Sequence, residues 1–274
     1  MDRIAIEPNS HLGLPPLQAA DLVASLGCRL ISIWIASPGP FNPYNYPPTS
    51  LRDNAPLRRE MIATMREKGV SISLIDGFMV IRPGTDVESF AGDLEIAKEL
   101  GVPTLNTVSF EPDLGRAFDQ LARLVDMADA LGIETVVEFA PKTTLPDLAS
   151  AVAAVQHVGR PGCRLLIDMM HLVRSGSGAA DLAALDPDLI GYVHFCDAPL
   201  APTMPNYLQE ASSERLIPGM GEFPLSEILS VLPRDVVIGL EIPSVSKAGA
   251  GVLPYEHLVP AVEATRRLLA EIDG

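Results

Sequence analysis

Short apolar runs alternate along the chain with longer stretches in which apolar residues recur at helical spacing. Continuous short apolar runs predict strands buried on both faces, and apolar residues at intervals of three and four positions predict amphipathic helices. The predicted strands are Ile4–Glu7, Leu30–Ala36, Val70–Ile75, Thr104–Phe110, Thr135–Ala140, Arg164–Met169, Ile190–Cys196 and Val236–Ile242. The predicted helices lie near residues 16–26, 52–68, 87–100, 113–131, 146–158, 179–185, 224–232 and 255–272.

Strict alternation of strands and helices indicates right-handed βαβ units, whose strands form a parallel sheet. An open doubly wound sheet is the competing architecture, and it usually carries a Gly-rich phosphate loop after its first strand. Here the first strand runs into Glu-Pro-Asn-Ser-His, and the sequence contains no G-x-G-x-x-G or P-loop motif. The pattern therefore predicts an α/β fold, a (β/α)8 TIM barrel, with residues 1–274 in a single domain.

Two Pro-rich segments, 37–48 and 198–206, each follow a predicted strand. We expect them to be long loops at the C-terminal ends of the strands, which is the face where barrel enzymes carry their active sites. The chain of 274 residues has room for a barrel of about 250 residues and such insertions.

The charge balance narrows the choice of partners. The chain has 20 Lys and Arg against 35 Asp and Glu, a formal net charge of -15, and no basic stripe. Because nucleic acids bind mainly through basic patches, a DNA or RNA partner is disfavoured and a small molecule is expected. The sequence does not fix the oligomeric state, but the exposed helices of barrels often pair, so a homo-oligomer is one possible state.

The cysteines and the apolar segments indicate a cellular location. Three widely spaced cysteines form no disulfide framework, which is typical of a reducing compartment. The first residues lack the pattern of a secretory signal, and no run approaches the ~18 apolar residues of a membrane helix. We therefore expect a cytoplasmic protein without a membrane partner.

Four consecutive predicted strands carry a ligating residue near their C-terminal ends: Glu138, Asp168, His194 and Glu241. A carboxylate in a buried strand costs several kcal/mol unless it is paired or bound to a metal. A single residue of this kind could equally be a salt-bridged core residue or a metal ligand. Four of them at the same height on adjacent strands predict a shared cation. Three carboxylates and one imidazole suit one divalent ion, Mn²⁺ or Mg²⁺ first, with Co²⁺, Fe²⁺ or Zn²⁺ as alternatives.

The second half of the chain resembles a known family in the order and spacing of its motifs. These are Asp168-Met-Met-His171, His194-Phe-Cys-Asp197, the segment from Arg215 to Glu222 and Gly-Leu-Glu241-Ile-Pro-Ser. They resemble the xylose-isomerase-like TIM barrels, the superfamily of sugar-phosphate isomerases and epimerases. The resemblance covers strands 5 to 8, about half of the chain, whereas the first half is similar only as a barrel.

The resemblance implies that Glu138, Asp168, His194 and Glu241 bind the metal. It also implies that His171 and Arg215 contact the substrate, while Gly219 and Gly221 shape the loop after strand 7. The implied activity is isomerisation or epimerisation of a small polyhydroxylated sugar or sugar phosphate. A proton next to a carbonyl is removed by Glu138 or Glu241, through an enediolate that the metal stabilises, while His171 and Arg215 offset the developing charge.

One departure from the family pattern keeps a second activity open. Ketose epimerases of this superfamily have another Glu six residues after the strand-5 ligand, where this chain has Thr144. The run Glu-Phe-Ala-Pro-Lys-Thr is more similar to the 3-dehydroshikimate dehydratases, although those often carry Gln at the position of His194. The alternative is therefore a lyase that removes water from a 3-dehydroshikimate-like or inosose-like substrate.

Two further functions are weaker on sequence grounds. Repair endonucleases of the endonuclease IV type share the fold but need extra His ligands and a basic DNA face, against 5 His and a charge of -15 here. A non-catalytic sugar-binding barrel would require that no metal be bound. Among other residues, we take Lys142 and His11 as weak site candidates and Trp34 as core. We take Asp197 as a carboxylate that supports the ligands or anchors a loop, and His157 and His257 as solvated.

Overall fold

A computed structural model describes residues 3–36, 42–77 and 79–273. Its eight parallel strands follow the order of the sequence and close into a barrel, so the predicted (β/α)8 TIM barrel is confirmed. Part of the first Pro-rich loop, residues 37–41, lies outside the described residues. The strands are β1 (Ile4–Ile6), β2 (Leu30–Ile33), β3 (Ser71–Ile75), β4 (Thr104–Thr107), β5 (Glu134–Glu138), β6 (Cys163–Asp168), β7 (Ile190–Phe195) and β8 (Ile238–Leu240).

Each of the eight predicted helical stretches contains an α-helix. The structure adds three short helices, α6, α8 and α10, which follow β6, β7 and β8 and lie in the loops on the C-terminal side of the barrel. The helices are α1 (Pro16–Ser25), α2 (Ala55–Lys68), α3 (Ala91–Glu99), α4 (Leu114–Asp129), α5 (Leu148–Val158), α6 (Met169–Arg174), α7 (Ala179–Ala183), α8 (Tyr207–Ser213), α9 (Leu225–Val231), α10 (Val245–Gly249) and α11 (Pro254–Asp273).

Several strands are shorter than the apolar runs that predict them. Ile35 and Ile242 belong to such runs and are fully buried, yet they lie beyond the last paired residues of β2 and β8. Burial produces an apolar run, whereas a strand also needs a neighbour to pair with. The runs therefore mark the first loop residues that pack on the core as well as the strands themselves.

Two layers of side chains fill the barrel interior in a way that follows from strand geometry. A small apolar cluster inside the barrel includes Ala5, Leu74, Val136, Leu166 and Tyr192. Because alternate residues of a strand face the same side, the residues two positions later also point inward, nearer the C-terminal ends of the strands. Those residues are polar in every case: Glu7, Asp76, Glu138, Asp168 and His194.

The rest of the core lies between the barrel and its surrounding helices. It is one large apolar cluster that contains residues from every strand and from most of the helices. Among the described helices, none combines the length and apolar character needed to cross a bilayer. The polar layer is thus enclosed by apolar packing on all sides except the C-terminal mouth of the barrel.

Candidate metal centre

The four residues predicted as metal ligands converge at the C-terminal end of the barrel. Glu138, Asp168, His194 and Glu241 each offer one ligand atom, and these atoms all lie within 4.8 Å of one another. All four side chains are buried. They come together because each lies at or next to the C-terminal end of one of four neighbouring strands, and the β6–β7 register pairs Asp168 with His194.

The atoms that face one another in this cluster suit a cation. His194 Nδ1 lies 3.2 Å from Glu138 Oε1 and 3.2 Å from Glu241 Oε2. Glu241 Oε2 is buried, and Arg215 Nη1 lies 3.0 Å from it as an ion-pair partner. Three carboxylates this close together repel one another, and one divalent ion would offset their negative charge. The donor set therefore fits one divalent metal.

Electrostatics within the cluster couple its charges. Burial opposes ionisation of Glu241, but the positive charges of Arg215 and His194 outweigh burial and hold the pKa of its carboxyl well below the usual value. Burial likewise opposes ionisation of Glu138, whose hydrogen bond to His194 leaves its pKa lowered. Burial disfavours the charged form of His194, yet Glu241 and Glu7 raise the pKa of its imidazole well above the usual value. Both carboxylates are therefore available as anionic ligands.

Arg215 is buried beside the four ligands. Its Nη1 pairs with Asp168 and lies 3.0 Å from Glu241 Oε2, and its Nε donates to the carbonyl of Ala211 over 2.6 Å. The guanidinium offsets the negative charge of the cluster and also lines the cavity above it. Arg215 is therefore placed where it could make the predicted contact with the substrate, while its Nη1 is paired with the carboxylates of Asp168 and Glu241.

His171 reaches the same site from α6. Asp168 is the N-cap of this helix, and its Oδ1 accepts the main-chain N–H of His171 at 2.8 Å. The ring Nδ1 of His171 lies 2.6 Å from Tyr207 Oη, and Nε2 lies 3.8 Å from Glu138 Oε1. The fixed cap and the contact with Tyr207 hold the imidazole at the wall of the cavity.

A cavity of about 190 Å³ opens above the cluster. It contains Glu138, Glu241, His171 and Arg215, the four residues predicted to act on the substrate. Its volume suits a small molecule rather than a polymer. Apolar residues complete part of its wall, among them Val80, Val108, Phe110 and Leu208.

The cavity is also lined by polar residues that were not predicted from the sequence, among them Asn9, Asp76 and Asn106. Asn9 donates from Nδ2 to Glu241 Oε1 over 2.7 Å. Asn106 donates from Nδ2 to Asp76 Oδ1 over 2.8 Å and to Glu138 Oε2 over 2.6 Å. Burial raises the pKa of Asp76 to about 7. Asp76 and Asn106 could have been predicted from the sequence, because each is a polar residue that directly follows an apolar residue of a strand.

The weaker candidates lie elsewhere. His11 and Trp34 line a separate cavity of about 30 Å³ beside β2, and Lys142 is exposed and does not line the cavity above the ligands. The carboxylate of Asp197 accepts main-chain N–H groups from Gly219, Gly221 and two other residues, so its predicted role as a loop anchor is confirmed.

The two remaining histidines differ from each other. His157 is exposed, as expected, but the expectation that His257 is solvated was wrong. His257 is buried on α11, and its Nε2 lies 2.8 Å from the carbonyl oxygen of Ile242. The side chain packs inward because this face of α11 covers the loop that follows β8.

A family model described as the xylose isomerase-like TIM barrel matches residues 20–270. The chain belongs to this family. Within the xylose isomerase-like family, it is 28% identical over 156 residues to an inosose isomerase of Halalkalibacterium halodurans. That match covers 53% of this chain and 54% of the relative, so it spans about half the length of either protein.

Solved structures share the fold over nearly the whole chain. A crystal structure of the IolI protein with a bound zinc atom matches with a TM-score of 0.81 at 19% identity, covering 98% of this chain and 99% of that one. The probable 3-DHS dehydratase AsbF of Bacillus anthracis, involved in petrobactin synthesis, matches with a TM-score of 0.71 at 16% identity, covering 94% and 98%. At these identities, the likeness shows the common barrel.

Proposed function

We propose that this protein is a divalent-metal-dependent isomerase or epimerase of a small polyhydroxylated substrate, which removes a proton from the carbon next to a carbonyl. The observation that carries the proposal is the convergence of four ligand atoms within 4.8 Å of one another at the floor of a small polar cavity. A family relationship to an inosose isomerase supports the same reaction class and makes inososes and related cyclic or open-chain sugars the first substrates to test.

The proposed metal is a single divalent ion held by Glu138, Asp168, His194 and Glu241. Mn²⁺ and Mg²⁺ suit three carboxylates and an imidazole, and Co²⁺, Fe²⁺ and Zn²⁺ remain alternatives. Zinc is the ion named for the structurally similar IolI protein. When bound, the ion would polarise the carbonyl and the neighbouring hydroxyl of the substrate, which acidifies the C–H bond between them.

Two carboxylates are oriented alike and supply the proposed bases. Glu138 and Glu241 each accept an amide hydrogen bond on one oxygen, from Asn106 and Asn9 respectively, and turn the other oxygen towards His194. Two fixed carboxylates in one cavity suit a reaction in which a proton is removed from a carbon and another is delivered to it. We propose that one of the two removes the proton, and that the other takes up a proton from solvent and delivers it to the opposite face of the substrate carbon.

His171 and Arg215 are proposed to hold substrate oxygens in the same cavity. Arg215 carries a buried positive charge beside the ligands, and such a charge stabilises negative charge that develops on an oxygen. His171 is fixed through Tyr207 and faces Glu138, so it can donate to or accept from a hydroxyl near the proposed base. Both residues would strengthen their contacts as the proton leaves.

A dehydratase is the second candidate, and one observation favours it. Thr144 stands where ketose epimerases of the family are expected to have a carboxylate, and its Oγ1 donates to the carbonyl of Glu111 over 2.7 Å. That position therefore offers no base to the substrate. Loss of a hydroxyl after the same proton removal would give the lyase reaction, for which the fold shared with AsbF is a precedent.

The decisive experiment incubates the metal-loaded protein with inososes, ketoses and 3-dehydroshikimate in D₂O. Deuterium uptake at one carbon of an otherwise intact sugar supports the isomerase, whereas a new absorbance from a conjugated product supports the dehydratase. Glu241→Gln should abolish either reaction, and Asp235→Asn serves as the matched control because Asp235 is exposed and does not line this cavity. Full activity of Glu241→Gln would contradict the proposal.

We propose a cytoplasmic enzyme whose partner is a small molecule rather than nucleic acid or a membrane, because the chain has a net charge of -15 and no basic stripe. Light scattering of the purified protein tests whether it self-associates into a homo-oligomer.

A further inference from the structure

Glu7 lies inside the barrel, beneath the proposed metal ligands and outside the cavity that would take the substrate. It directly follows β1 and is fully buried. One carboxylate oxygen, Oε1, accepts a hydrogen bond from Tyr192 Oη at 2.8 Å, and the same hydroxyl lies 2.9 Å from Ser73 Oγ. A buried carboxylate requires partners for both of its oxygens, and this network provides for only one of them.

The second oxygen of Glu7 faces the histidine of the cluster. Glu7 Oε2 lies 3.5 Å from His194 Nε2, and within the described chain neither atom has a hydrogen-bond partner. The other ring nitrogen, Nδ1, faces Glu138 and Glu241 at 3.2 Å each. The imidazole of His194 therefore stands between Glu7 on one side and the ligand carboxylates on the other.

The barrel leaves space for the Glu7 carboxyl at one strand position. A Cβ atom on Gly239 would lie 2.1 Å from Glu7 Oε1 and 2.8 Å from Tyr192 Cε1, so a side chain there would collide with both residues. Gly239 pairs with His194 in the β7–β8 register and with Ala5 in the β8–β1 register. Because Gly239 has no side chain, the carboxyl of Glu7 fits beside it, at the level of the His194 ring.

We propose that Glu7 is a positioning residue that accepts the Nε2–H of His194 and thereby directs the lone pair of Nδ1 at the metal. A neutral imidazole has one donor and one acceptor nitrogen, and an ionised carboxylate can only accept. An acceptor beside Nε2 therefore selects the tautomer in which Nδ1 is free to bind an ion. Mutation of a partner of this kind typically lowers metal affinity roughly 10–100-fold. This inference rests on the proposed metal site.

A purely structural role for Glu7 makes a different prediction. If Glu7 served only to satisfy Tyr192, removal of the Tyr192 hydroxyl and removal of the Glu7 charge would affect stability alike and leave metal affinity alone. Glu7→Gln keeps the size of the side chain. Its carbonyl can still accept from Tyr192, which turns the NH₂ group towards Nε2 and favours the tautomer with the proton on Nδ1, where the metal has to bind.

The test is a calorimetric titration with Zn²⁺ of the unmodified protein, Glu7→Gln and Tyr192→Phe, with folding checked by circular dichroism. We expect Glu7→Gln to weaken Zn²⁺ binding about 10–100-fold and Tyr192→Phe to weaken it by less than about threefold. Equal Zn²⁺ affinity in Glu7→Gln and the unmodified protein overturns the inference and leaves the metal site intact. Failure of the unmodified protein to bind any divalent ion overturns the metal site and the inference together.

A second readout needs no variant. Two-bond ¹H–¹⁵N spectra of the zinc-loaded unmodified protein report which ring nitrogen of His194 carries the proton. We expect a protonated Nε2 and a metal-bound Nδ1. A proton on Nδ1 would overturn the inference, even if Glu7→Gln failed to fold.

Discussion

Asp197 fills the space in which a side chain at Gly221 would begin: a Cβ atom on Gly221 would lie 2.3 Å from Asp197 Oδ1. The carboxylate accepts four main-chain N–H groups at once, those of Ala198, Gly219, Gly221 and Phe223. This close approach ties the segment after Arg215 to the end of β7. The loop that delivers the buried guanidinium is therefore fixed to the strand that delivers His194.

We expect Asp197→Ala to release this loop. Four main-chain N–H groups, two of them on the buried residues Ala198 and Phe223, would lose their acceptor. This should lower the free energy of unfolding by about 2–4 kcal/mol, since hydrogen bonds to charged groups are the stronger ones. KM should rise as well, because Arg215 directly precedes the released segment. Urea unfolding and steady-state kinetics measure the two effects, with exposed Asp235→Ala as the control. Unchanged stability would show that the loop is held by other contacts.

The sequence predicts the barrel and the four ligands for the same physical reason. Strands buried on both faces are continuously apolar, so an ionisable residue within such a run, such as Asp168 or Glu138, stands out at once. Glu7 and Asp76 obey the same rule, since each follows an apolar strand and lies two positions after an inward-facing apolar residue. They were not predicted as site residues, because they lie in the first half of the chain, which carries none of the family's motifs.

Other features of the site cannot be obtained from pattern alone. The contact between His171 and Tyr207 joins α6 to α8, and the latter is a short helix inside a loop whose sequence has no clear periodicity. Burial of His257 depends on which face of α11 meets the loop after β8, and a single histidine does not indicate that face. Such contacts are set by how loops pack on one another after the barrel has closed.

Metal binding should stabilise the folded protein. An ion that binds only the native state adds about 2.7 kcal/mol at a concentration of 100 times its Kd. We expect Mn²⁺ or Zn²⁺ to raise the melting temperature in differential scanning calorimetry, and a chelator to reverse the rise. Asp168→Asn should abolish the effect, because Asp168 is fully buried among the ligands and pairs with Arg215. A rise that survives in Asp168→Asn would mean that the ion binds elsewhere.

His11 should make the protein sensitive to mild acid. The ring is buried, neither nitrogen has a hydrogen-bond partner among the described residues, and burial lowers the pKa of His11 from 6.5 to about 4. The unfolded chain therefore binds a proton between these values while the folded chain does not. The resulting stability is present above pH 6.5 and is lost as pH falls towards 4, by up to about 3 kcal/mol.

Urea unfolding at pH 7 and at pH 5 tests this for the unmodified protein and for His11→Leu. The variant cannot take up the proton, so its loss of stability between the two pH values should be smaller. Lys142→Leu is a suitable control, because Lys142 is exposed and does not line the cavity of His11. An identical pH dependence in His11→Leu would mean that other groups account for the acid sensitivity.

Asp76 should affect turnover more than metal binding. It lines the cavity, is held there by Asn106, and is not one of the four convergent ligands. A carboxylate in this position can exchange a proton with a substrate hydroxyl, and such general acid–base contributions are typically about 10²–10⁴-fold in rate. We expect Asp76→Asn to lower kcat about 100-fold or more. Its Zn²⁺ affinity should stay close to that of the unmodified protein.

Asn106→Ala separates this role from the positioning of Glu138. Because Asn106 donates to both carboxylates, its removal should weaken Zn²⁺ binding as well as turnover. Calorimetry and kinetics on both variants give the comparison, and the two should differ in Zn²⁺ affinity while both lose activity. If Asp76→Asn lost Zn²⁺ affinity to the same degree as Asn106→Ala, Asp76 would belong to the support of the metal ligands. Its effect on kcat would then follow from the metal and not from a proton exchanged with the substrate.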